Sequence, residues 1–278
     1  MRVSLSAMAD WSKILSRGNV VDRRGISMSS LGGLGIGGVV LLMGVTYLLG
    51  GSPLDILLQL DPSQLQQSAV SPEEAAQYEG TDEYEVFVST VLGSNNDLWE
   101  IEFNTLNRTY TEPSLVLFRG GTQSECGGAV SQVGPHYCPL DQTIYLDETF
   151  FEELQTRFDA KGGDVAEAYV IAHEVGHHVQ NQLGLLDERS TAAESIAVEL
   201  QADCLAGVWA HSIKTLSVLS PGEIEEALNA AAAVGDDSIQ QKTEGEVHPE
   251  TWTHGSSAQR VDSFNKGFTA GKLQACTG

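Results

Sequence analysis

The chain has 278 residues and a formal net charge of −23, from 15 Lys and Arg against 38 Asp and Glu. That length allows one domain of ordinary size with appendages. The acidic excess falls in residues 51–278, which hold 10 basic and 36 acidic side chains, and a surface of that sign excludes the basic footprint of a nucleic-acid binder.

Residues 1–30 carry Lys13, Arg17, Arg23 and Arg24, and residues 31–50 carry no charge at all. As a helix the uncharged run would be about 30 Å long, the thickness of a bilayer's hydrocarbon core. The next basic residue is Arg108. The positive-inside rule then predicts a cytoplasmic segment at 1–30, a single transmembrane helix at 31–50, and everything later on the extracytoplasmic side of a cell membrane. A cleaved signal peptide fits less well, because the charged region before the run is long and no A-x-A-like site follows it. Residues 51–77, rich in Pro, Gln and Ser, read as a linker, and residues 78–278 as the folded domain.

Inside that domain, alternation at residues 143–147 predicts a strand, followed by a helix over 148–158. An exposed edge on that strand could hold an extended peptide by main-chain hydrogen bonds; the alternative is an internal strand. Cys126 and Cys138 flank a Gly-rich loop and read as one disulfide, leaving Cys204 to pair with Cys276. An even cysteine count suits an oxidising compartment, although four reduced thiols fit the sequence too.

Residues 164–183 read as one heavily apolar helix, with a capping box at 164–167 in which Asp164 is the N-cap, and a stop at Gly184. Within it lies H-E-V-G-H, residues 173–177. Residues four apart share a helix face, so His173 and His177 can reach one metal ion, with Glu174 beside a water bound to it. His178 points about 100° away and reads as a packing residue. A tetrahedral catalytic site needs a third protein ligand and an open position. Glu199 is the best candidate, because Asp203 lies one turn later and can accept the free ring N–H of a ligating histidine. Glu194, Asp187 and His211 compete for the role without such a partner.

The segments H-E-V-G-H-H-V-Q and E-L-Q-A-D-C-L-A-G-V-W-A-H resemble the neutral zinc metallopeptidases of bacteria, a family similar in logic to the gluzincins. Residues 21–25, 134–147, 224–237 and 253–260 resemble the same family. The resemblance implies His173, His177 and Glu199 as ligands of one zinc ion per chain, Glu174 as general base, and a peptide or protein as substrate. The expected fold is α+β: a mainly helical, zincin-like domain with a small sheet, preceded by one transmembrane helix. An oxyanion donor is usual beside such a metal. His254 is the candidate, since it sits just before the helix-start pattern at 256–259; an ordinary surface histidine is the alternative. Arg260 could pair with a site carboxylate, and Tyr145 is another candidate donor. The expected function is a membrane-anchored zinc peptidase. The alternative is a catalytically silent scaffold of the same fold.

Overall fold

The computed structural model describes residues 9–24, 76–77, 82–130, 134–158, 161–186, 192–220 and 222–277. Its backbone is a five-stranded sheet formed by β1 (Asn19–Asp22), β2 (Ala76–Gln77), β3 (Ser114–Phe118), β6 (His136–Cys138) and β7 (Thr143–Asp147), in the order β2-β1-β3-β7-β6. The β1–β3 and β3–β7 pairs are parallel, and β6 runs antiparallel to β7 at one edge. A separate hairpin joins β4 (Gly121–Ser124) to β5 (Gly127–Val130).

Alternation along the central strands divides the interior in two. Val20, Leu115, Leu117, Ile144 and Leu146 face the helices in the main core. Val116, Phe118 and Tyr145 face the other way, packing with Ala129 of the hairpin and Cys138. Strands buried on both faces read as continuous apolar runs, as Leu115 to Phe118 does.

The helices are α1 (Glu83–Thr105), α2 (Thr149–Phe158), α3 (Asp164–Leu183), α4 (Ala192–Thr215), α5 (Ile224–Ala233), α6 (Asp236–Thr243) and α7 (Ser257–Ala270). Helix α3 crosses α4 closely because Gly176 has no side chain: a Cβ there would lie 3.0 Å from the Ala202 carbonyl oxygen. The approach of α4 to α7 is closer still. A Cβ on Gly267 would overlap the backbone of Cys204, and one on Gly207 that of Phe264. Two disulfides, Cys126–Cys138 and Cys204–Cys276, tie β6 to the loop after β4 and α4 to the C-terminus.

The N-terminal segment requires a correction. Strand β1 lies inside the sheet, with Asn19 to Asp22 opposite Ser114 to Leu117. Trp11 donates its indole N–H to Asp164 at 2.6 Å and stacks on Trp209 of α4. Arg24 binds Asp22, Asp82, Glu85 and Glu148, fastening β1 to α1 and to the start of α2. A single membrane crossing at 31–50 would place β1 and the rest of its own sheet on opposite sides of a bilayer. Residues 31–50 lie outside the described residues, and among the described residues no helix is long and apolar enough to cross a membrane. The expected transmembrane helix and the single-pass, extracytoplasmic location are therefore withdrawn. The fold is mixed helical with two small sheets.

The start of α3 also differs from expectation. Gly163 is the N-cap, and Asp164 turns its carboxylate to Trp11 and to the Ala9 amide. Glu226 of α5 accepts the Val165 amide instead. One turn on, burial pushes the Glu167 carboxyl up to about 7, helped by Asp164 and Glu148 and opposed by the Tyr84 hydroxyl. A folded-state pKa above the unfolded one gives a stability that is complete below about pH 4.5 and lost as pH rises through about 7. Glu167→Gln is expected to remove that loss and gain about 3 kcal/mol at pH 8. Denaturant unfolding at pH 5 and pH 8 checks this, and equal pH dependence in the two proteins would contradict it.

Candidate metal centre

Helix α3 presents His173 and His177 on one face, and α4 crosses it with Glu199 opposite. His173 Nε2 lies 3.1 Å from one Glu199 oxygen, and His177 Nε2 lies 3.5 Å from the other. Ligand atoms held about 2.0–2.1 Å from a tetrahedral zinc lie about 3.3 Å apart, so the spacing fits that ion.

The hydrogen bonds also fit. His173 Nδ1 donates to Asp203 at 2.9 Å, and His177 Nδ1 donates to Gln180 Oε1 at 2.8 Å. With each Nδ1 engaged as a donor, the Nε2 atom of each ring is the one left facing the Glu199 carboxylate, where a metal ion would take the place of an Nε2 proton. Without those protons three acceptors converge, and positive charge is needed between them. The titration of the groups carries the same sign. Burial alone would pull the His173 imidazolium down, but Asp203 and Glu199 outweigh it and push it up to about 10. Burial of Glu199 is likewise outweighed, by His177 and His173, and its carboxyl is held well below the usual range.

Asp203 is fully buried and fully partnered. Arg260 of α7 binds both of its oxygens, Nε at 2.8 Å and a terminal nitrogen at 2.9 Å, and the Tyr169 hydroxyl donates at 2.5 Å. Burial would raise the Asp203 carboxyl, and the Arg260 and His173 charges bring it below its ordinary value. Arg260 is itself only 4% exposed. A second acidic group, Asp22, Asp82 and Glu85, also has oxygens close together, but the Arg24 guanidinium lies among them and supplies the positive charge.

The cluster opens into a cavity of about 710 Å³. Glu174 is buried and faces it, as do Tyr137 and His136 of β6, Phe150 and Leu154 of α2, and His254. His254 is half exposed, and its Nδ1 lies 3.1 Å from Asp236, at the start of α6. The other Asp236 oxygen accepts the backbone N–H groups of Thr253, His254 and Gly255, which fixes the loop. Ser256 then caps α7 in a capping box with Gln259.

Other expected residues lie elsewhere. Tyr145 belongs to the smaller core, donates to Asp141 and stacks on the cavity-lining His136, but does not itself line the cavity. Its strand β7 lies between β3 and β6, which is the internal-strand alternative and not the peptide-binding edge; β2 and β6 are the edge strands, and β6 borders the cavity. His178 donates Nε2–H to the Thr111 carbonyl and accepts from the Tyr137 hydroxyl, and burial pulls its imidazolium down to about 4. His211 bonds the Phe268 carbonyl, Glu194 is outside the cluster, and Asp187 lies outside the described residues. Gln180 lies three residues after His177 on α3, a spacing that could have paired it with that ring, whereas Asp236 carries no such signal because folding brings residues 253–255 to it.

Comparison with known proteins agrees with this geometry. The family described as "Putative neutral zinc metallopeptidase" matches residues 9–278. The uncharacterized protein YpfJ of Escherichia coli K12 is 42% identical over 287 residues, 96% of this chain and 97% of that protein. The uncharacterized protein Rv2575 of Mycobacterium tuberculosis H37Rv is 50% identical over 182 residues, covering 60% and 62% of the two chains. No solved structure matches the chain.

Proposed function

Since the chain belongs to this zinc metallopeptidase family, we propose that it hydrolyses peptide bonds with one zinc ion held by His173, His177 and Glu199. The observation that carries the proposal is the convergence of two Nε2 atoms on a carboxylate, with both Nδ1 atoms already engaged.

Held by His173, His177 and Glu199, a zinc ion would supply an acidified water of pKa about 7 and a Lewis acid for the scissile carbonyl. Glu174, beside His173 and facing the cavity, would take a proton from the attacking water and hand it to the departing amine. Asp203 and Gln180 keep the two rings in the ligating tautomer. With Nδ1–H donated to Asp236, His254 has Nε2 as its remaining ring nitrogen; protonated, it donates to the carbonyl oxygen as negative charge gathers there. The outer edge of β6, unpaired among the described residues, takes the peptide backbone by strand pairing, which gives affinity with little sequence preference.

The test is incubation of the purified protein with unfolded polypeptides. Cleavage is expected, to stop with a chelator and return with zinc. His254→Ala is expected to lower kcat by about 10²–10³-fold with zinc content unchanged. A zinc-loaded protein that cleaves no unfolded polypeptide would favour the scaffold reading instead.

A further inference from the structure

The two imidazoles of the cluster are held by different chemistry. His173 is held by an ion pair, Asp203 with Arg260. His177 is held by a neutral amide, that of Gln180, which is fully buried. The orientation of this amide is determined by its other partners. Its Nε2 donates to the Val198 carbonyl at 2.7 Å and to Gln201 Oε1 at 3.0 Å, which leaves Oε1 to accept from His177. A flipped amide would set N–H against N–H and oxygen against oxygen. Gln201 is oriented in turn, because its Nε2 donates to the Cys276 carbonyl at 2.9 Å. Cys276 is attached by its disulfide to Cys204, the neighbour of Asp203 on α4.

We propose that Gln180 is the positioning residue for His177, and that the disulfide-tethered C-terminus sets the metal affinity of the site through Gln201 and Gln180. The relay runs from the Cys276 carbonyl through two amides to the ring nitrogen opposite the ligating one. Losing its outer end frees the Gln201 amide to turn, and then the Gln180 amide, so that His177 Nε2 is no longer kept as the nitrogen facing Glu199. The proposal rests on the reading of His173, His177 and Glu199 as zinc ligands.

The test uses the full chain and three variants: Gln201→Leu, Cys276→Ser and both together. Gln201 is only half-buried, so its replacement leaves the buried Gln180 in place. Zinc dissociation constants come from competition with a chromophoric chelator, and the visible absorption of bound Co²⁺ reports ligand geometry. Each single variant is expected to weaken zinc binding about 10–100-fold and to shift the Co²⁺ bands. The double variant is expected to be no weaker than the worse single one, because both changes break the same relay. Wild-type affinity in the Gln201→Leu variant, or effects that multiply in the double variant, would overturn the relay alone. A wild-type protein that binds no zinc would overturn the metal assignment first and the relay with it.

Discussion

Glu174→Gln is expected to keep zinc bound and to lose peptide hydrolysis by about 10²–10⁴-fold. Glutamine has the shape of glutamate, and Glu174 is outside the group of ligand atoms formed by His173, His177 and Glu199. The substitution therefore leaves the proposed metal ligands untouched. What it removes is a carboxylate, buried beside the cavity, that can take and return a proton. Turnover of an unfolded polypeptide, measured beside zinc content, separates the two effects. Unchanged hydrolysis would remove Glu174 from the mechanism, and lost zinc would make it a ligand.

The second large effect concerns stability. Arg260→Met is expected to cost about 3–5 kcal/mol, because it removes the guanidinium that binds both oxygens of the buried Asp203 carboxylate. Arg260 supplies two of the hydrogen bonds to Asp203, and a further one to the Val234 carbonyl. The same change loosens the partner of His173, so zinc affinity should fall with stability. Thermal unfolding of the variant should begin on the order of 10 °C lower. Asp203→Asn combined with Arg260→Met should recover part of the loss, since the stranded charge is then gone. An unaltered unfolding temperature in Arg260→Met would show that the pair carries no weight.

The convergence of His173, His177 and Glu199 was legible in the sequence because its parts are local. His173 and His177 are four apart on one helix, Glu199 and Asp203 four apart on the next, and helical spacing alone puts each pair on a face. The pairing of Cys126 with Cys138 was suggested by the loop they flank, and that of Cys204 with Cys276 only by remainder, with four reduced thiols fitting the sequence as well. What sequence could not give is long-range. Strand β1 is four residues, N-V-V-D, pairing in parallel with a strand some 95 positions later, and it shows no local alternation to read. The positive-inside rule was applied to the arginines before the uncharged run, yet Arg24 among them is a buried partner of four carboxylates in the domain. Strand β6 has three residues, too few for a pattern, so the edge was placed on its longer neighbour β7. Arg260 was seen as a residue that could pair with a site carboxylate; that the carboxylate is Asp203 follows from the close packing of α7 on α4 at Gly207 and Gly267.

The most direct test is the elemental zinc content of the purified chain, set beside its Glu199→Ala and Glu194→Ala variants. The two glutamates share one helix, and only Glu199 is within ligand distance of both imidazoles. The expected result is about one zinc per chain in the wild type and in Glu194→Ala, and little in Glu199→Ala. A wild type that stays free of zinc when zinc is supplied, or a Glu199→Ala variant that binds it fully, would contradict the assignment.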